Sequence, residues 1–355
     1  MAENKRVKGL DEYVLLGRSG LRVSPLCLGT MTFGTDWGWG SDADTSKAVL
    51  MRYLEAGGNF LDTADMYTFG HSEEMIGKFL EEGNLRDQCV IATKFTFNAR
   101  QGDPNAGGNG RKNIYRALEG SLKRLRTDYV DLYWLHAWDM LTPAEEVVTT
   151  LDALVRSGKV RYIGFSNPPG WYVGQAHVLA TLRGMEPVCA LQLEYSLVER
   201  TIELEHTDAA REFGLGICPW SPLAGGFLTG KYERAKDGGS GEGRLAVNKN
   251  PLFDRFTPRN WDILDALLEV SKAVGKSPAQ VALNWAARRP QMASTIIGAS
   301  KVKQLDDNLA ALSFTLPDEL VAKLEAASRP VRGSPYTFFD AHMQTMIRGG
   351  VAVKR

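Results

Sequence analysis

Four titratable residues, Asp62, Tyr67, Lys94 and His136, fall at or just beyond the ends of short apolar runs, and as a set they have the chemistry of a proton-delivering site. A carbonyl that accepts hydride must also accept a proton, and a phenol, with a reference pKa of about 10, is a reluctant acid. An ammonium at Lys94 beside Tyr67 would stabilise tyrosinate, and a carboxylate at Asp62 would keep that ammonium charged and oriented. His136 would donate to the carbonyl oxygen and polarise it as negative charge develops there. The hydride itself calls for a cofactor. Taken singly, each residue has an ordinary structural explanation: a strand-end Asp caps a turn, a Tyr near a Gly packs, and a lone His is a satisfied polar group.

The set can act only if the fold brings it to one face. Short β-prone runs recur at 25–29, 59–62, 89–94, 129–136, 160–165, 189–193, 216–220 and 293–298, with helix-patterned stretches between almost every pair. Apolar groups such as Ile114, Leu118, Leu122 and Leu125, or Val148, Leu151 and Val155, share one helical face. Thr142-Pro143 and Ser277-Pro278 read as helix starts, with the hydroxyl capping an orphan N–H and Pro where no donor is needed. Eight alternations of strand and helix predict an α/β fold, a closed (β/α)8 TIM barrel rather than an open sheet. The expected layout is a single domain over 1–355, with a barrel core at about 25–312 and a C-terminal helix and tail at 317–355. An N-terminal hairpin turning through Arg18-Ser19-Gly20 would plug the barrel bottom. Three long connections, 30–41, 224–258 and the tail from 329, belong to the face where barrels carry function, and the second could form a mobile flap.

Composition narrows the partners. The 42 basic residues balance 42 acidic ones, so no broad electrostatic footprint for nucleic acid or an acidic membrane surface is expected. No run approaches the roughly 18 apolar residues of a membrane span, and the first ten residues have no apolar core. The expectation is a soluble, cytoplasmic protein with a small-molecule partner. Cys27, Cys89, Cys189 and Cys218 sit in or beside apolar runs without a Cys-x-x-Cys pair, as buried reduced thiols do. Of His71, His136, His177, His206 and His342, just His136 ends a predicted strand, too thin a set for a metal-dependent hydrolase, and no metal is expected. Gly225 to Lys231 has P-loop spacing, but Tyr232 stands where Mg²⁺ needs Ser or Thr. The cluster Gly107-Gly108-Asn109-Gly110 lacks the setting of a dinucleotide fingerprint and reads as a surface insertion.

From about residue 14 to 324 the chain resembles the aldo-keto reductases, in Phe60-Leu61-Asp62-Thr63-Ala64-Asp65-Met66-Tyr67, in Ala92-Thr93-Lys94 and in Trp134-Leu135-His136. All four positions of that family's tetrad are filled in order. The resemblance implies NADPH, rather than NADH, as cofactor and an aldehyde or ketone, including a cyclic or sugar-like one, as substrate. It implies that Ser166, Asn167 and Gln192 hold the nicotinamide carboxamide, that Trp220 stacks on the ring, and that Ser221 and Leu223 follow it in the same motif. Thr30 and Met31 are implied at the end of the first strand, and Lys231, with Arg244, at the pyrophosphate. Gly298, Ser300, Lys301, Gln304, Asp307 and Asn308 match the adenosine and 2′-phosphate site, where helix N–H groups suit an anion.

Trp37, Trp39 and Trp138, with Trp171, Tyr336, Phe338 and Phe339, could wall a substrate pocket over the nicotinamide. Nothing in the sequence chooses among carbonyl classes or sets the oligomeric state. Trp220, where many relatives have Tyr or Phe, resembles the β-subunits of voltage-gated potassium channels, which belong to the same family. The alternative that follows is an NADPH-binding regulatory subunit on the same scaffold.

Overall fold

Each of the eight β-prone runs forms a parallel strand in the computed structural model, which describes residues 8–235, 238–240, 245 and 254–352. The strands are β1 (Leu26–Gly29), β2 (Phe60–Asp62), β3 (Val90–Phe95), β4 (Val130–Leu135), β5 (Val160–Ser166), β6 (Val188–Glu194), β7 (Gly216–Trp220) and β8 (Thr295–Gly298). They hydrogen-bond in chain order, and β8 pairs back onto β1 with Thr295 opposite Leu26. The ring is completed by Ile217 N–H donating to Gln291 O at 2.9 Å and Ala293 N–H donating to Ile217 O at 2.8 Å. The result is a (β/α)8 barrel. Near-continuous apolar runs form these strands because a parallel sheet is covered on both faces.

Helices wrap the outside. They include α1 (Ala43–Glu55), α2 (His71–Gly83), α3 (Arg111–Leu125), α4 (Ala144–Arg156), α5 (Gly170–Arg183), α6 (His206–Phe213), α7 (Pro258–Val274), α8 (Pro278–Ala287) and α9 (Val302–Leu309). The periodic residues Ile114, Leu118, Leu122 and Leu125 of α3 are all buried against the sheet. Ser277 begins α8 in a full capping box with Gln280. Thr142 does not cap α4; its N–H and hydroxyl donate to Asp139 at 2.9 and 2.7 Å, and Pro143 stands at the helix start without a side-chain cap. Asp139 is the stronger acceptor and already closes the turn before Pro143, so the hydroxyl is spent there.

The hairpin pairs Val14–Leu15 with Arg22–Val23, and the buried Leu16 and Val23 close the barrel floor against Cys27, Phe60, Val90 and Leu132. Arg18 N–H donates to Gly214 O at 2.7 Å. Gly17 is required beneath it: φ is +61°, and a Cβ would lie 2.4 Å from Cys189 O. Higher inside, the Trp134 ring crosses to β5, where a Cβ at Gly164 would lie 2.2 Å from it. Above that layer the interior turns polar, with Asp62 and Lys94.

Of the long connections, 224–258 begins with a short 3-10 segment, Ala224–Thr229, and a two-strand ribbon of Glu233–Ala235 against Gly238–Ser240. After β8 and α9 the chain forms α10 (Asp318–Ser328), a turn at Tyr336–Phe339 and α11 (Ala341–Ile347). Among the described residues no helix is long and apolar enough to cross a membrane. The four cysteines are buried and unpaired with one another.

Candidate active site

Asp62 is the last residue of β2 and Lys94 lies one residue before the end of β3, so both side chains meet inside the rim of the barrel. Lys94 is fully buried, which is tolerable for an ammonium only if its three donors are used. They are: Nζ donates to Asp62 Oδ1, to Thr63 O at 2.7 Å and to the Tyr67 hydroxyl at 3.1 Å. Burial pulls the Lys94 pKa down, but the Asp62 carboxylate and then Tyr67 outweigh it and hold the amine above its ordinary value. The second Asp62 oxygen accepts from Gln192 Nε2 at 2.8 Å.

Tyr67 is set by a tight turn. Its N–H donates to Ala64 O at 3.2 Å, and Thr68 and Phe69 follow in the left-handed region at φ 45° and 58°. The Thr68 hydroxyl fixes that turn by donating to Phe33 O at 2.9 Å. The Trp37 ring backs the Tyr67 ring edge-on at 6.3 Å.

His136 follows β4, its N–H donating to Phe95 O at 3.1 Å and its ring 5.9 Å from that of Tyr67. Burial first, and the Lys94 charge second, hold its pKa well below 6.5, so it is neutral at pH 7. Its Nδ1 is buried with no hydrogen-bond partner. The connection carrying it is tied by Asn109, which does not lie on the surface as its glycine-rich surroundings suggest. Asn109 is fully buried, accepts from the Thr96 hydroxyl at 2.7 Å and donates to Ala137 O at 2.9 Å, joining the chain after β3 to that after β4. The neighbouring glycines let the backbone reach this depth, Gly108 adopting φ +79°.

An elongated cavity of about 690 Å³ opens over the tetrad. Tyr67, His136, Asp62, Ser166, Asn167, Gln192 and Trp220 line one end. Trp220 Nε1 donates to Asn167 Oδ1 at 3.1 Å, and Asn167 Nδ2 donates to Ser166 Oγ at 2.9 Å and His136 O at 3.2 Å. Gly298, Ser300, Gln304, Asp307 and Asn308 line it where β8 meets α9, and Met31, Ser221, Leu223 and Lys231 also face it. A Cβ at Gly298 would meet only Thr32 Cγ2, at 3.7 Å, so the missing side chain leaves room for a ligand. Ser300 N–H donates to Gln304 Oε1 at 2.9 Å. These residues fit a long ligand with an amide at the tetrad end and an anionic group at the α9 end.

Several sequence candidates stand elsewhere. Thr30 is buried, its hydroxyl and N–H both donating to Asp62 O at 2.9 Å, so it ties β1 to β2 without lining the cavity. Lys301 is exposed at the start of α9 and is not a lining residue either. Arg244 lies outside the described residues. Trp39 packs on Trp37 at 5.6 Å, and Trp138 on Trp171 at 5.4 Å and Tyr172 at 6.1 Å. None of these tryptophans lines the cavity, and neither do Tyr336, Phe338 and Phe339, which are exposed or bonded elsewhere, Tyr336 to Glu205. In their place the lining holds Met66, Phe97 and Arg255, which is ion-paired to Glu194 at 2.5 Å. Phe97, three residues past Lys94, carried a positional signal; Arg255 carried none.

The sequence profile of the Aldo/keto reductase family matches residues 25–329. The chain is 40% identical to the uncharacterized oxidoreductase YrpG of Bacillus subtilis, over 88% of this chain and 94% of that protein. It is 32% identical to the norsolorinic acid reductase stcV of Emericella nidulans, over 96% and 87%. It is 36% identical to a probable voltage-gated potassium channel subunit beta of Oryza sativa subsp. japonica, over 92% and 99%. A barrel with this buried Asp–Lys–Tyr chain, matched over most of its length, therefore belongs to the Aldo/keto reductase family.

Proposed function

We propose that the protein reduces an aldehyde or ketone to an alcohol, with Tyr67 as the proton donor and NADPH as the hydride source. The observation that carries this reading is the Lys94 ammonium, bonded at once to Asp62 and to the Tyr67 hydroxyl in a place shielded from water. When bound, the cofactor supplies the hydride that forms the new C–H bond. The chain's own residues do the rest. The neutral His136, protonated on the nitrogen other than the partnerless Nδ1, donates to the carbonyl oxygen and draws charge onto it. The Tyr67 O–H bond breaks as the new O–H bond forms, and Lys94 at 3.1 Å stabilises the phenolate left behind. Asp62 keeps Lys94 in place, and Gln192 orients Asp62.

Ser166, Asn167 and Gln192 would hold the carboxamide of the nicotinamide, and Trp220 would cover its ring. Ser300, Gln304 and Asn308 at the start of α9 would take the adenosine end, with Lys301 close by; a 2′-phosphate suits this helix N-terminus, and NADPH is favoured over NADH for that reason. Trp37, Trp39, Trp138 and Thr30 are assigned supporting places around substrate and cofactor rather than direct contacts.

Tyr67→Phe tests the reading. The expected result is loss of turnover by at least about a hundredfold with NADPH affinity, read by fluorescence titration, changed little. Near-normal turnover would remove Tyr67 as the acid. The likeness to a channel subunit beta favours a second reading, a regulatory NADPH-binding protein. Tight NADPH binding by the wild type with no turnover on a broad carbonyl panel would select it.

A further inference from the structure

Glu73 is fully buried, yet the proton chemistry makes no use of it and it does not line the cavity. It stands in the first turn of α2, close behind the turn that carries Tyr67. Its two oxygens reach in different directions: Oε1 accepts from the Thr93 hydroxyl, and Oε2 accepts from Arg124 Nε at 2.7 Å. Thr93 directly precedes Lys94 on β3, and neighbouring side chains on a strand point to opposite faces. Thr93 therefore turns outward to α2 while Lys94 turns inward to Tyr67. Arg124 belongs to α3, and its stem lies against the last residue of the Tyr67 turn: a Cβ at Gly70, where φ is +98°, would be 2.8 Å from Arg124 Cδ.

The other ties of this segment go elsewhere. The Ser72 hydroxyl donates to Thr30 O at 2.8 Å and lies 3.1 Å from Thr63 Oγ1, which fixes α2 to the ends of β1 and β2. The loop's backbone bond to β3, from Asp65 N–H to Lys94 O, is a long one at 3.3 Å. Glu73 thus supplies the side-chain link from α2 to the strand of Lys94. Asp65, Arg116 and Tyr133 share its buried neighbourhood. Burying a carboxylate is costly, and apolar residues of equal volume often give as much stability; what a paired carboxylate adds is a fixed geometry.

We propose that Glu73 is a positioning residue for the proton donor: bridging Thr93 and Arg124, it fixes the turn of Tyr67 against the strand of Lys94 and so maintains the 3.1 Å contact between them. This rests on the reading of Tyr67 as the acid. A carboxylate could instead act through its charge alone, and the two roles have opposite signs. Loss of a nearby anion makes a phenol easier to ionise, whereas loss of the Lys94 contact makes it harder.

The test reads Tyr67 ionisation in the purified full chain, as the tyrosinate absorbance that disappears when Tyr67→Phe is added to each background. Thr93→Val keeps the Glu73 charge and its Arg124 pair but removes the hydroxyl bond. In it the Tyr67 midpoint should rise by about 0.5–1 pH unit relative to wild type, and Thr93→Ser, which keeps the hydroxyl, should restore it. Glu73→Gln should move the midpoint in the same direction. With butanal and NADPH, kcat of Thr93→Val should fall about three- to tenfold with KM for NADPH unchanged. An unchanged midpoint in Thr93→Val, an equal rise in Thr93→Ser, or a lowered midpoint in Glu73→Gln would each overturn the proposal, the last by assigning Glu73 a field effect. The titration needs no substrate, so a raised midpoint in a protein that reduces nothing on a broad carbonyl panel would uphold the bridge and sink the carbonyl-reducing reading alone. Absence of any Tyr67 step in wild type would overturn the Lys94-assisted acid and this inference with it.

Discussion

Asp65 shares the loop between β2 and α2 with Thr63 and Tyr67, but its carboxyl does not line the cavity. Burial first, and the Glu73 carboxylate second, push its pKa up to about 7, against the pull of Arg124, Arg116 and Lys94. Its Oδ1 is buried without a partner, and the Tyr133 phenol is a further neighbour. The unfolded chain releases this proton near 3.8 and the folded chain near 7, so between those values the native state holds more protons. Stability from this group is therefore present at low pH and is lost as pH rises toward 7, the loss amounting to at most about 4 kcal/mol. Asp65→Asn should remove it. Thermal melts of wild type and variant from pH 4 to 8 should diverge with rising pH in favour of the variant; parallel curves would refute the assignment. The grouping of Asp62, Tyr67, Lys94 and His136 was legible in the sequence because each is a reactive type at or just beyond a strand end. Asp65 was not, since the letters of the motif say nothing about whether a carboxyl meets arginines, another acid or water. Asn109 and Arg255 were hidden for the same reason: their roles depend on partners from distant segments, Arg255 meeting Glu194 and Asn109 meeting Ala137.

The elements repeat that contrast between local and distant information. All eight strands fall within two residues of the β-prone runs, because an apolar run bounded by polar turns is a local signal. The Ser277 cap formed for the same reason, and Ser277→Ala should cost about 1 kcal/mol by urea denaturation. Thr142→Ala should lose less from α4, because no capping bond is there to lose. Local spacing could not show that Asp139 would take the Thr142 hydroxyl. Nor could it anticipate Asn167, Ser221 and Ala224 at φ 51°, 54° and 51°, non-glycine residues in a strained region at the edge of the cavity. Gly164 shows how closely the elements fit. Gly164→Ala would drive a methyl into the Trp134 ring, and a loss of about 1–3 kcal/mol is expected, with activity falling as well because β4 leads directly into His136. A thermal melt and an activity assay on the same preparation would check both.

Across the whole molecule, the four groups proposed to react come from the first half of the barrel and the rest of the cavity wall mainly from the second. Asp62, Tyr67, Lys94 and His136 belong to β2, β3, β4 and their connections, whereas Ser166, Gln192, Trp220 and Gly298 belong to β5 through β8 and Asn167 follows β5 directly. The barrel class could be read from the count and alternation of elements, because closure is the arrangement that buries eight such strands. The hairpin could be read too, its glycine turn and flanking apolar residues being local. The pairing of Thr295 with Leu26 joins segments about 270 residues apart. During synthesis, then, all four groups proposed to react leave the ribosome well before the last stave exists to shut the cask. A nascent chain ending near residue 290 would carry residues 62, 67, 94 and 136 yet lack the stave that closes the ring over them.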